Sequence, residues 1–385
     1  MKKDYFHVSE VEPQELMQVL LEHFSFSQHS ELVYKFQNAQ RFIEVACDET
    51  GNIKSITPST DFPPDELYEI DKKIQDTLLT KHGTKICQII GFCGLPITGY
   101  FRYKDWFQMI PVPEDAPKPK VLLADHPFIL EVPYETCPSL MIDASRKQKK
   151  AVIYSRLLNV LSNQFISLGS LSRHAWVVLN TENMSSVTSE WKQLGYFYNR
   201  LKGAEDEFSS VDNLHPIEKV FFRTYYSSPP LARTMDPFTF PDNLEQSLDK
   251  AFALDGENWR KFFMACSWYA QYRYTAKESR SSAFIALVTA LECLGGQHRY
   301  RVTVHFKEFL KKYFPAIDQF PKEKKTLYQV RSQLAHGADL LRADLEPWNF
   351  LVDTTEEDQG QLQRNLLYIA RLAIYNWLQT VSTAG

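Results

Sequence analysis

Cysteine is sparse in this 385-residue chain. The six that occur, Cys47, Cys87, Cys93, Cys137, Cys266 and Cys293, include no pair at C-x-x-C spacing. That scarcity argues against a zinc ribbon, a dithiol redox centre or a disulfide framework, so the thiols read as reduced. Long apolar runs are missing too, since no window approaches the roughly 18 uninterrupted apolar residues of a membrane span. The opening Met1-Lys-Lys-Asp-Tyr-Phe-His lacks a signal peptide's apolar segment, which predicts a cytoplasmic protein with no membrane partner. There is no excess of positive charge: a formal net charge of -4 excludes a chain that coats nucleic acid indiscriminately, while leaving room for a local basic surface. Internal repeats and low-complexity tracts are absent as well.

What is there is the composition of a folded protein. Apolar residues make up 44% and charged residues 23%, which argues against disorder, and the length predicts two or three separate cores. The fold class expected is α+β, a mixed N-terminal region followed by an all-α helical bundle. Leu16, Val19, Leu20 and Phe24 have helical spacing and predict a helix over 13–26. Strands are expected at 31–36, 41–47 and 53–56, with a turn over 48–52 between the last two. Pro63-Pro64-Asp-Glu starts a helix that should stop near Gly83. Further strands are expected at 85–92, at 99–111, and at 127–132, the last ended by Pro133. A helix begins near 142, a strand covers 175–179, and 181–228 shows no clear period. Prolines at 229, 230, 237 and 241 then mark a boundary.

Beyond Pro241 the apolar spacing predicts helices over 243–254, 257–275, 277–294, 303–313, 322–336 and 359–380, with the acidic run 353–358 as a solvated loop. The domains expected are therefore 1–140, an α+β sensor or binding region; 141–240, a helical and irregular connection; and 241–385, all helix. In the helix over 277–294, Phe284, Leu287, Val288, Leu291 and Leu294 form an apolar stripe with Glu292 at its flank.

One stretch of this helical region carries candidate chemistry. In Leu327-Tyr-Gln-Val-Arg-Ser-Gln-Leu-Ala-His-Gly337, at roughly 100° per residue, Leu327, Val330, Leu334 and Ala338 share a helix face from which Arg331 also projects. An arginine keeps its charge, so that position needs a carboxylate, a phosphate or a partner chain. His336 lies about 140° round the helix from Arg331, and Gly337 can end the helix there and free the ring to turn back. Histidine moves protons near neutrality and an arginine fork stabilises phosphate oxygens, a combination that suits cleavage of a phosphodiester by its own 2′-hydroxyl. Spacing alone favours a structural role, with Arg331 paired to Glu292 and His336 capping the helix.

The run Ala283-Phe-Ile-Ala-Leu-Val-Thr-Ala-Leu-Glu-Cys-Leu-Gly295, followed by the Arg331-to-Gly337 stretch, resembles a HEPN domain, and is most similar to its Apea-like branch. The resemblance covers about 241–380. It implies a metal-independent ribonuclease of an antiviral, abortive-infection or toxin system, requiring no cofactor, with its site formed between two domains of a homodimer. It further implies phosphate binding by Arg331, proton transfer by His336, and a supporting place for Glu292, Ser332 and Gly337. Active members often carry Asn, Asp or His after the arginine, where this chain has Ser332. Other members are non-catalytic modules for dimerisation or RNA binding, and that alternative is kept.

Basic residues between 297 and 342 number ten against four acidic ones. Arg299, Arg301, Lys311, Lys312, Lys324 and Lys325 are the candidate contacts for RNA, tRNA included. The first 240 residues would bind an unknown trigger. Three further groups have plainer readings. Cys87, Cys93 and His82 are better read as buried thiols and a separate histidine than as a metal site. Gly91-Phe-Cys-Gly94 lacks the lysine of a phosphate loop. The basic cluster from Arg146 to Lys150 reads as a solvated helix start, with an extension of the RNA surface as the sharper alternative.

Overall fold

The computed structural model describes residues 11–38, 40–48, 51–120, 125–169, 175–183, 186–221, 238–276, 279–295, 302–334 and 354–381. The chain is mixed α+β and forms two compact units. The first comprises Met1–Cys87, Pro133–Lys150 and Gly203–Glu207; the second comprises Gln88–Val132, Ala151–Lys202 and Phe208–Gly385. These divisions fall at other residues than the expected 140 and 240, and the helices beyond Pro241 belong to the same unit as a β-sheet. No helix among the described residues is long and apolar enough to cross a membrane.

In the first unit, α1 (Pro13–Leu21) precedes a four-stranded antiparallel meander of β1 (Ser25–Ser30), β2 (Val33–Asn38), β3 (Arg41–Cys47) and β4 (Ile53–Pro58). The helix ends earlier than its apolar spacing suggested, because Phe26 belongs to a strand. It faces Phe36 across the β1–β2 ladder, the two rings 5.6 Å apart. Next comes α2 (Pro64–Ile74), with proline in its first turn, Asp65 and Glu66 at its positive end and Lys72 and Lys73 at its negative end. Leu16, Val19 and Leu20 of α1 pack with Phe36, Ile43, Val45, Leu67 and Ile74 in one core.

The cluster from Arg146 to Lys150 is not simply solvated. Arg146, at the start of α3 (Leu140–Leu161), grips Glu15 of α1 with two bonds, Nε to Oε1 at 2.8 Å and Nη2 to Oε2 at 2.6 Å. Lys147 pairs with Asp143 and Lys149 with Glu12. The Arg146 side chain is only 16% exposed, so screening by water is limited. Arg146→Lys keeps the charge but loses the fork, and should weaken this contact by about 1–2 kcal/mol. Hydrogen exchange of the α1 amides is the readout; an unchanged rate would show the fork to be dispensable.

The second unit is built on a five-stranded sheet whose order is β6-β7-β8-β5-β9. Its strands are β5 (Thr84–Cys93), β6 (Phe101–Tyr103), β7 (Phe107–Pro111), β8 (His126–Glu135) and β9 (Ile166–Leu168); the boundary with the first unit falls inside β5, β8 and α3. The single strand expected over 99–111 is a hairpin instead, turned at Lys104, whose φ is +50°. β8 runs through Pro133 to Glu135. Its recorded pairing with β7 ends at Glu131, so the N–H that proline lacks costs no bond on that side. Gly91 lies where the Phe128 ring would come within 2.3 Å of a Cβ. That close approach explains the glycine without any phosphate-loop role.

The segment 181–228, which has no clear period in sequence, contains β11 (Ser186–Gln193), paired antiparallel with β10 (Ala175–Asn183). A short α4 (Gly195–Tyr198) follows, and the two-residue β12 (Lys219–Val220) and β13 (Phe240–Pro241) pair in parallel. Glu131, almost fully buried, accepts from Gln88 Nε2 at 2.7 Å, Gln108 Nε2 at 2.9 Å, and the Ser209 amide and hydroxyl at 3.1 and 2.5 Å. This carboxylate fastens the irregular chain at Ser209 to the sheet.

The helices of 244–380 lie close to their expected bounds: α5 (Leu244–Phe252), α6 (Gly256–Thr275), α7 (Arg280–Gly295), α8 (Val302–Tyr313), α9 (Pro321–Leu334) and α10 (Thr354–Thr380). The acidic run is a correction. Rather than a loop it enters α10, which is helical from Thr354 onward.

Candidate functional site

α7 is the helix around which the others are arranged. It packs against α6, α8, α9 and α10, and all five residues of its expected stripe are buried. Ser281, Ala283, Ala286 and Ala290 are buried as well, so the helix is packed over most of its circumference, while Ser282 and Ile285 are exposed and Thr289 and Glu292 half-buried along one remaining face.

α9 is fixed by Leu327 and Val330, both buried, and by Glu323, whose Oε1 accepts from Asn365 Nδ2 of α10 at 2.8 Å. Its last turn carries the backbone of Arg331 and Ser332. The side chains of Arg331 and Ser332 lie outside the described residues, as do His336, Gly337, Arg299 and Arg301. The elements bearing Glu292 and Arg331 are therefore brought together, α7 on α9.

Of the four described basic candidates, Lys311, Lys312 and Lys325 have no ion-pair partner among the described residues. Lys311 and Lys312 are exposed in the last turn of α8, with Lys312 Nζ 4.9 Å from the Tyr313 ring centre, and Lys325 is exposed in the first turns of α9. Lys324 differs, since Asp318 pairs with it. That bond raises the lysine pKa above its ordinary value and lowers the aspartate's, so Lys324 is already neutralised by the protein.

The two most deeply buried charged side chains among the described residues escaped the sequence reading. Arg371 of α10 is fully buried, its guanidinium carbon 5.8 Å from the Tyr368 ring centre, and Glu131 anchors the sheet described above. The signal for Arg371 is the one that singled out Arg331, an arginine within an apolar helical pattern, here Leu366 to Leu378. The thiols are buried apart from Cys293, which is partly so. Cys93 donates to the Leu95 carbonyl, and burial pushes its pKa up to about 12, as an inert core thiol requires. His82 Nε2 lies 2.8 Å from the Asp76 carbonyl, and no group of three or more His, Cys, Asp or Glu among the described residues is placed to hold a metal.

No family model, curated protein or solved structure matches this chain.

Proposed function

We propose that the chain is a metal-independent RNA endonuclease of the HEPN type, working as a cytoplasmic homodimer in antiviral defence or as a toxin. The observation that carries this reading is the packing of α7, with its Ala283-to-Gly295 run and Glu292, against α9, whose last turn bears Arg331. In this scheme the 2′-hydroxyl of the substrate attacks the adjacent phosphorus. One histidine function accepts the hydroxyl proton and returns a proton to the leaving 5′-oxygen, and Arg331 binds the charge that develops on the phosphate oxygens. A 2′,3′-cyclic phosphate and a 5′-hydroxyl result.

Two surface features favour the same reading. Lys311, Lys312 and Lys325 present positive charge on neighbouring stretches of chain, suited to a phosphate backbone. Met264 and Trp268 stand one turn apart on α6 and remain 43% and 38% exposed, as expected of a face covered by a second copy. The N-terminal region takes the place of trigger recognition.

The deciding experiment incubates the purified chain with total tRNA, with and without a chelator. Cutting that survives the chelator and leaves cyclic phosphate ends is the result expected; cutting abolished by the chelator overturns the mechanism. Ser332, standing where active relatives often carry Asn, Asp or His, favours the second reading, a dimerisation or RNA-binding module. Retention of tRNA without cleavage would decide for that module.

A further inference from the structure

The first unit contains a cavity of about 860 Å³ that the ribonuclease scheme does not use. Its size is that of a small-molecule site. Phe24, Phe62 and Ile70 supply its apolar lining, the two rings edge to face at 6.1 Å. Charged groups from the β2–β3 turn and from one face of α2 complete the wall.

The cations of that wall are already matched within the protein. Arg41 Nη1 donates to Glu66 Oε2 at 2.5 Å, with its guanidinium carbon 6.0 Å from the Phe62 ring centre. Lys73 Nζ lies 3.1 Å from Glu22 Oε2 and 2.8 Å from His23 Nε2. An ammonium only donates, so His23 Nε2 is the acceptor and its ring is neutral. Burial and the Lys73 charge hold the His23 pKa below its ordinary value, in keeping with that assignment.

The anions are not all matched. Asp65 and Glu69 line the same cavity, and neither has a hydrogen-bond or ion-pair partner among the described residues. They are one turn apart on α2, ~6 Å along its axis at 1.5 Å per residue. Both are exposed at the rim, with Lys73 one turn beyond Glu69, and two carboxylates without a direct partner beside an apolar lining favour a cation that also carries hydrocarbon over an anionic ligand.

We propose that this cavity binds a small aliphatic diamine or polyamine, with ammonium groups on Asp65 and Glu69 and the methylene chain against Phe24, Phe62 and Ile70. Butane-1,4-diamine fits on length: with bonds near 1.5 Å its nitrogens stand roughly 6 Å apart. This assignment stands whether or not the helical region cleaves RNA.

The test is isothermal titration of the full chain with butane-1,4-diamine and with spermidine, against sodium chloride at matched ionic strength. Saturable one-to-one binding, weakened at least about tenfold in the Asp65→Asn/Glu69→Gln variant with an unchanged circular dichroism spectrum, is expected. Should the double variant fail to fold, Glu69→Gln alone is expected to weaken binding severalfold. The proposal is overturned by the absence of saturable heat at millimolar ligand, or by affinities that the folded variant leaves unchanged. Tighter binding of N-acetyl-arginine amide than of either amine overturns it too, by assigning the cavity to a basic peptide side chain.

Discussion

On the ribonuclease mechanism proposed above, replacing Arg331 or His336 by alanine is expected to slow RNA cleavage by at least about a hundredfold, the usual scale for losing a general acid–base or a transition-state charge donor. The two losses should differ in kind. Without its arginine the site still moves protons but no longer offsets charge on the phosphate, so Arg331→Lys, a point charge without the planar fork, should recover part of the rate. Without His336 the dependence of rate on pH around neutrality should flatten. Neither change is expected to unfold α9, which is held by Leu327, Val330 and the Glu323–Asn365 bond. Circular dichroism checks that. Wild-type cleavage in both variants, measured on the same tRNA, would sink the mechanism.

How much of this was legible follows from the range of the interactions involved. A helix declares itself through spacing within a single turn, which is why α5 to α10 fall near their expected bounds and why Phe284, Leu287, Val288, Leu291 and Leu294 are buried as the stripe required. Strands depend on distant partners. Ser25–Ser30 has little apolar alternation and is a strand because β2 pairs with it, just as Ser186–Gln193 is one because β10 does. The grouping into two units is longer-ranged still: β5, β8 and α3 each cross from one unit to the other, and no local period marks such a crossing. Of the candidate site, the neighbouring of the Glu292 and Arg331 helices was legible, because both helices carry apolar faces that must meet others. Arg371 had an equal claim by pattern. An arginine within an apolar helical pattern is thus not by itself the mark of a site, and the motif, with its histidine and glycine, is what set Arg331 apart in the sequence.

The largest effect expected on stability lies elsewhere, at Glu131. Its side chain is 1% exposed and receives four donors, from Gln88, Gln108 and twice from Ser209. In Glu131→Ala those donors lose this acceptor, Gln108 while buried and Gln88 and Ser209 while partly so, and the missing carboxyl leaves a void. Breaking a buried charged group away from its hydrogen bonds costs about 3–5 kcal/mol. For a unit of about 275 residues, at about 2.1 cal/mol/K of unfolding entropy per residue, that corresponds to a fall in Tm of roughly 5–9 °C. Glu131→Gln is the more telling change. It preserves the volume but turns one acceptor into a donor facing other donors, so it should still cost about 2 kcal/mol. Because Ser209 gives both its amide and its hydroxyl to this carboxylate, the first local consequence should be rapid exchange of the Ser209 amide, ahead of the sheet amides around it. Glu190→Ala removes an exposed carboxylate whose partner is the adjacent Lys192, and should be nearly silent by comparison. Equal Tm values for the Glu131 and Glu190 variants would show that the buried network contributes nothing, and that the segment around Ser209 is held by its other contacts.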